Sequence, residues 1–126
     1  MLLDTHALIC WLLGADELSE HASKAIETSA APVWVSAASA WEIATKYRIG
    51  KLPAAGDIAT GLVDHIGTAG FEMMDITFED ANDAGGLPGP HRDPFDRLLI
   101  AQSRRRGLPV VTTDEIFESY GVSVIW

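Results

Sequence analysis

Four acidic residues stand where solubility alone does not explain them: Asp4, Glu42, Asp96 and Asp114. The chain has 18 Asp and Glu residues, most of which need only water around them. Asp4 and Asp114, however, each come straight after a short apolar run at its C-terminal end. That edge of an open parallel sheet is where ligands bind. Asp96 lies at the border of the helical stripe formed with Leu99, Ile100 and Ser103, half turned toward a core. Glu42 sits between Trp41 and Ile43 and follows Ser39 by one turn, so hydroxyl and carboxylate share a face. Carboxylates that converge repel and raise one another's pKa, and such a set is stable in its charged form only around cations. A ligand set made of oxygen alone selects a hard ion, Mg²⁺ or Mn²⁺, over zinc.

Each acid also has a local explanation. Asp4 or Asp114 could cap the helix after its strand. Glu42 could pair with Lys46 in the favoured i, i+4 order. Asp96 could be the returning carboxylate of a capping-box-like turn begun by Asp93. The four taken together favour the metal reading over four separate accidents.

Composition narrows the alternatives. With 126 residues, 48 % hydrophobic and 21 % charged, the chain is ordinary globular material, expected to form one domain over residues 1–126. No apolar run reaches the length of a membrane span. Met1 to Leu3 lead into Asp4 with no basic stretch, so neither a signal peptide nor a membrane association is expected, and the expected location is cytoplasmic. Cys10 is the only cysteine, which excludes an internal disulfide and a cysteine-based zinc site. The formal net charge of −9 argues against grip on nucleic acid through a general basic field. Arg92, Arg97, Arg104, Arg105 and Arg106 hold more than half of the nine basic residues. They form either an RNA-contacting patch or cations complementing a helix C-terminus. The histidines show no close ligand spacing, and the tryptophans fall in strand or helix patterns that point to packing. No serine elbow, Gly-rich phosphate loop or cysteine nucleophile is present.

Short apolar runs alternate with helical patterns throughout, the signature of βα units around a parallel sheet. Strands are expected at Met1 to Asp4, Val33 to Ser36, Phe71 to Ile76, Pro109 to Thr112 and Val122 to Ile125. Helices are expected from Thr5 to about Leu13, from Ser19 to about Ala30 and from Ser36 to near Gly50. Further helices follow from Asp57 to about Thr68, from Thr77 to about Ala84 and from Asp93-Pro94 to about Arg106, with a helical turn from Asp114 to about Tyr120. Leu87 to His91, with two prolines and a glycine, reads as a loop. The expected architecture is a three-layer α/β/α sandwich around a mainly parallel five-stranded sheet.

Four ordered segments carry a resemblance that spans nearly the whole chain. They are Leu2-Leu3-Asp4-Thr5-His6-Ala7, Ser36-Ala37-Ala38-Ser39-Ala40-Trp41-Glu42-Ile43, His91-Arg92-Asp93-Pro94-Phe95-Asp96-Arg97-Leu98-Leu99-Ile100-Ala101-Gln102 and Val111-Thr112-Thr113-Asp114. Together they resemble the PIN-domain nucleases, and among them the VapC toxins of bacterial toxin–antitoxin pairs. The resemblance implies a PIN-like fold and a Mg²⁺- or Mn²⁺-dependent endoribonuclease whose acidic quartet is Asp4, Glu42, Asp96 and Asp114. Within it, Asp4 and Asp96 are expected as direct metal ligands. Asp114 is expected to serve a second ion or a ligand water, and Glu42 to orient or deprotonate the nucleophile. Thr5, Ser39, Thr112 and Thr113 are expected to orient the carboxylates, since ligand carboxylates need donors that fix them. Asp93 is assigned to capping, with a metal role as the alternative. Lys46, Arg92 and Arg97 are candidate RNA contacts. The resemblance further implies an RNA substrate, a VapB-type antitoxin that covers the site, and a homodimer. A receiver-type phosphoacceptor domain also gathers aspartates at a sheet edge, but its lysine after the last strand has no counterpart in Val122 to Trp126.

Overall fold

The computed structural model describes residues 1–126. Five strands, β1 (Leu2–Leu3), β2 (Trp34–Ser36), β3 (Glu72–Met74), β4 (Val110–Val111) and β5 (Val124–Ile125), form one sheet in the order β3-β2-β1-β4-β5. Every pairing is parallel. The helices are α1 (Thr5–Leu13), α2 (Glu20–Glu27), α3 (Ala37–Arg48), α4 (Gly56–Thr60), α5 (Leu62–Thr68), α6 (Phe78–Gly86), α7 (Pro94–Arg106) and α8 (Ile116–Ser119). Parallel strands need crossovers of a dozen residues or more, and the helices supply them.

Strand alternation divides the core in two. Leu2, Met74 and Val110 face α6, α7 and α8, packing with Ala84, Leu98, Leu99, Ile100 and Phe117. Their strand neighbours Leu3, Val35 and Val111 point the other way, against Leu8, Ile26, Ile43 and Ile66 of α1, α2, α3 and α5. A side-chain period of two therefore makes the inner strands β1, β2 and β4 serve both layers, whereas the edge strand β3 keeps Glu72 and Met73 exposed. The three-layer sandwich expected from sequence is the architecture found, with a sheet that is wholly rather than mainly parallel.

Two segments differ from expectation. The helix expected over Asp57 to Thr68 is split at Gly61, whose φ of −126° and ψ of 28° leave helical geometry, and it is preceded by a 3-10 turn at Pro53–Ala55. A mid-helix glycine lowers helical preference by about 1 kcal/mol, enough for packing to decide the geometry. α2 ends at Glu27, short of the expected Ala30, where the Thr28 hydroxyl turns back to donate to Lys24 O at 2.8 Å.

The α6–α7 pair, which carries Asp96, is fixed by an acid that sequence reading passed over. Asp80 is 0 % exposed. It closes a capping box with Thr77, and both its oxygens receive the Arg106 guanidinium at 2.9 Å. Arg105 Nε (3.2 Å) and Gln102 Nε2 (3.3 Å) add to this cage. Burial pushes the Asp80 carboxyl up, but Arg106, the Thr77 N–H and Gln102 outweigh it and hold the group well below the usual carboxylate range. Arg106 keeps 30 % of its side chain exposed and can recover water, so Asp80→Ala is expected to cost the charge-assisted hydrogen bonds, about 1.5–3 kcal/mol in chemical denaturation. A carboxyl whose folded pKa is depressed contributes stability above its unfolded pKa and loses it as pH falls through the folded value. The stability gap between wild type and Asp80→Asn should therefore hold above about pH 5, begin to shrink near about pH 4 and close only as pH approaches the depressed folded value. A gap independent of pH would show that the charge contributes nothing.

Candidate active site

Strand order reverses its winding between β1 and β4, and open α/β sheets bind ligands outside such a switch point. The register Leu3↔Val111 and Leu3↔Val35 brings the ends of β4 and β2 to either side of the end of β1. Asp4 leaves β1 there, its N–H bonded to Val111 O at 3.1 Å. It caps α1, with Oδ1 accepting from the Ala7 N–H at 2.6 Å, and is only 8 % exposed. Burial pushes its carboxyl above the ordinary range. The Ala7 N–H, the Thr112 hydroxyl and His6 pull it down, and the charge of Glu42 raises it.

Glu42 arrives from the other neighbour strand. Ser36 ends β2 and caps α3 by accepting from the Ala38 N–H (3.0 Å). Thr5 Oγ1 donates to Ser39 Oγ at 3.0 Å, joining the first turns of α1 and α3. One turn on, Glu42 is buried beside Ser39 and takes Lys46 Nζ as its ion-pair partner. The capping reading of Asp4 and the Lys46 reading of Glu42 are thus both realised, each using one oxygen of its carboxylate.

α7 brings Asp96. Asp93 is its N-cap, accepting from the Phe95 N–H (2.9 Å) and Asp96 N–H (3.2 Å), with Pro94 at the first helical position. Phe95 meets Trp41 of α3 edge-on, ring centroids 4.8 Å apart, so the start of α7 is held against the helix that carries Glu42. The Asp96 carboxylate does not return to Asp93 as a capping box would have it. Instead Oδ2 lies 3.1 Å from Nε2 of His91. Burial pushes the Asp96 carboxyl up to about 6, with Asp93 and Asp114 adding to the rise and His91 opposing it.

Asp114, beyond β4, is exposed; its Oδ1 accepts from the Ile116 N–H at 3.0 Å and its own N–H donates to Thr112 Oγ1 at 3.0 Å. Thr112 is fully buried and so stands between Asp4 and Asp114. Thr113 is exposed and lies outside these bonds.

The acids feel one another as two linked sets, Asp4 with Glu42 and Asp96 with Asp93 and Asp114. As placed, no three His, Cys, Asp or Glu side chains stand at ion-holding distance. Local partners engage Oδ1 of Asp4, Oε2 of Glu42, Oδ2 of Asp96 and Oδ1 of Asp114, and the Thr112 hydroxyl also bonds the Asp4 carboxylate. The remaining oxygens are hard donors in a region short of cations, a donor set that suits Mg²⁺ or Mn²⁺.

Among the expected RNA contacts, Arg92 is exposed and the Lys46 side chain is 41 % exposed. Arg97 departs from that expectation, because its guanidinium is bound to the backbone carbonyls of Ala84, Gly85, Leu87 and His91. The remaining arginines do not form one patch. Arg105 and Arg106 are tied to Asp80 and Asp83, about 14–15 Å along α7 from Asp96 at a rise of about 1.5 Å per residue. Sequence reading also passed over His91, whose five-residue separation from Asp96 matches no helical or metal-ligand spacing.

The PIN domain family model matches residues 1–122. The chain belongs to the PIN-domain family. No curated protein sequence matches it. Among solved structures, this PIN domain is similar to VapC20 of Mycobacterium tuberculosis, described as a toxin that cleaves the sarcin-ricin loop. Identity is 17 %, TM-score 0.70, and 96 % of this chain and 95 % of that chain are covered. It is also similar to DNA-bound VapBC from Salmonella typhimurium (19 % identity, TM-score 0.68, coverage 98 % and 94 %). A third is FitAcB from Neisseria gonorrhoeae (18 % identity, TM-score 0.67, coverage 98 % and 94 %). At these identities the likeness is one of fold. No helix is long and apolar enough to cross a membrane.

The raised pKa of Asp96 has a measurable sign. A carboxyl whose folded pKa lies above its unfolded value makes the native state bind the extra proton, so stability falls as pH rises from about 4 to about 6. Asp96→Asn removes this penalty. In EDTA the variant is expected to match or trail wild type near pH 4 and to exceed it above about pH 6.5, by about 2 kcal/mol. A variant that melts lower than wild type at both ends would make Asp96 a purely structural residue.

Proposed function

We propose that this PIN domain is a metal-dependent endoribonuclease acting as the toxin of a toxin–antitoxin pair. The observation that supports the reading is that Asp4, beside Glu42, and Asp96, beside Asp93 and Asp114, are both raised by burial and by their neighbours' charge, with Thr112 linking Asp4 to Asp114. Carboxylates raised in this way lack a positive charge that a divalent ion supplies.

In this reading Asp4 and Asp96 hold the ion through the oxygens that their local partners leave free, and Asp114 holds a second ion or a ligand water. When bound, Mg²⁺ or Mn²⁺ supplies positive charge for a phosphodiester oxygen and a water of lowered pKa. Glu42, buried and oriented by its own helix, takes the proton of the attacking water. The water oxygen bonds to phosphorus and the P–O3′ bond breaks, leaving 5′-phosphate and 3′-hydroxyl ends. Thr112 and the Thr5–Ser39 pair keep the carboxylates in place. Arg92 is the cation at this edge available to RNA phosphates, joined by Lys46 if it leaves Glu42, a small number for a chain of net charge −9.

Support for the toxin reading comes from the similar proteins, several of them toxin–antitoxin complexes. An antitoxin segment carrying an arginine suits an acidic pocket, because a guanidinium matches a carboxylate bidentately and replaces the charge of the ion. A homodimer in the cytoplasm belongs to the same proposal, and light scattering reads the stoichiometry.

Purified protein is expected to cleave members of a broad labelled-RNA panel with Mg²⁺ or Mn²⁺ and not in EDTA. Asp4→Asn and Asp96→Asn should each lower the rate by at least about 100-fold, since each removes a formal charge from the cradle while nearly keeping its shape. Undiminished cleavage by both variants would overturn the mechanism. Expressed alone, the wild-type chain should arrest growth and Asp4→Asn should not; unaffected growth at confirmed expression would overturn the toxin reading.

A further inference from the structure

The segment Leu87 to His91 contains no helix or strand, yet it is held at three of its carbonyls. Arg97 donates Nε to Ala84 O (2.9 Å), Nη1 to His91 O (2.8 Å) and Nη2 to Gly85 O (3.4 Å) and Leu87 O. From the opposite side the Tyr120 hydroxyl donates to Pro88 O at 2.7 Å. Gly89 has φ +91°, and a Cβ there would meet the Tyr120 hydroxyl at 3.0 Å, so only glycine suits the position. Three of these bonds fall on the loop's own carbonyls, those of Leu87, Pro88 and His91, two more tie it to the end of α6, and Leu87 packs against the core.

What that scaffold presents is His91. Its carbonyl is tied to Arg97, the residue next to Asp96, and its half-buried ring returns to Asp96 itself, Nε2 lying 3.1 Å from Oδ2. Backbone and side chain of one residue are thus both closed onto the start of α7. An ionised carboxylate only accepts, so Nε2 carries the proton in this contact.

The geometry points to His91 as the positioning residue of Asp96: by donating to Oδ2 it fixes the rotamer of the carboxylate and leaves Oδ1 free to serve as a ligand. The inference rests on the reading of Asp96 as a metal ligand. An aspartate without such a donor samples several rotamers, and ordering it at the moment of binding weakens the site. Carboxylates that ligate metals are themselves hydrogen-bonded for this reason, and loss of the outer partner costs about 10–100-fold in affinity. The ring acts on the ion only through Asp96, which separates His91 from a ligand.

The test is Mn²⁺ binding by titration calorimetry on the intact protein, with melting in EDTA as the folding control. Wild type is expected to bind Mn²⁺, His91→Ala to bind about 10–100-fold more weakly, and His91→Gln, which keeps an N–H donor of similar reach, to recover most of the loss. If His91→Ala does not fold, His91→Gln against His91→Met makes the same comparison at similar size. Binding by His91→Ala as tight as wild type, or tighter, would overturn the inference, tighter binding meaning that the ring competes with the ion. Equal weakness of the Ala and Gln variants would overturn it in favour of ligation or packing by the ring. Failure of wild type to bind Mn²⁺ would remove the metal reading of Asp96 first, and the role of His91 with it.

Discussion

A carboxylate taken out of water must find positive charge or hydrogen-bond donors, or it will hold its proton. The protein meets this constraint in two opposite ways. Asp80 is fully buried, yet its carboxyl lies low, because Arg106 grips both oxygens and Thr77 and Gln102 complete the cage. Asp4 and Asp96 are raised, because burial pushes them up as it does Asp80, further acids add to the rise, and no guanidinium offsets it. Depth of burial therefore does not separate the two kinds of acid. Supply of charge does, and the acids without it are those gathered at the switch point of the sheet.

That gathering depends on register. The pairings of Leu3 with Val35 and with Val111 fix which residues leave the sheet together, and a slip of one residue would turn every strand side chain to the other layer. Caps then convert strand ends into helix starts: Asp4 for α1, Ser36 for α3 and Asp93 for α7. The Thr5–Ser39 bond and the Trp41–Phe95 contact join these starts, so the elements that carry Asp4, Glu42 and Asp96 are braced against one another. Capping and site building are the same interactions at Asp4, which gives one oxygen to its helix and keeps the other.

Much of this could be read from sequence where it depends on neighbours along the chain. Apolar runs marked all five strands, and Asp93-Pro94 and Ser36 marked helix starts, because caps and periodicity are local. The acids at strand ends were legible for the same reason. Asp80 was not, since its partner Arg106 is 26 residues away and Thr77-x-x-Asp80 is only a weak form of the capping box. His91 was missed because a loop conformation, set by Arg97, Tyr120 and Gly89, decides where its ring goes. Arg97 itself looked like a surface cation, because nothing in its sequence neighbourhood shows that backbone carbonyls of the preceding loop surround it. The break at Gly61 belongs with these cases, a local preference too weak to settle the geometry alone.

The claim that uncompensated carboxylates await a divalent ion is tested most directly by carbon-detected NMR titration of the aspartate side chains with and without Mg²⁺. Without the ion, Asp96 should titrate near 6 and Asp4 above the ordinary range, while Asp80 stays well below it. With Mg²⁺ the first two should fall to ordinary values or lower, because ligand carboxylates bind the ion only when deprotonated, and Asp80 should not move. Midpoints for Asp4 and Asp96 that stay raised and unchanged at saturating Mg²⁺ and Mn²⁺ would contradict the account.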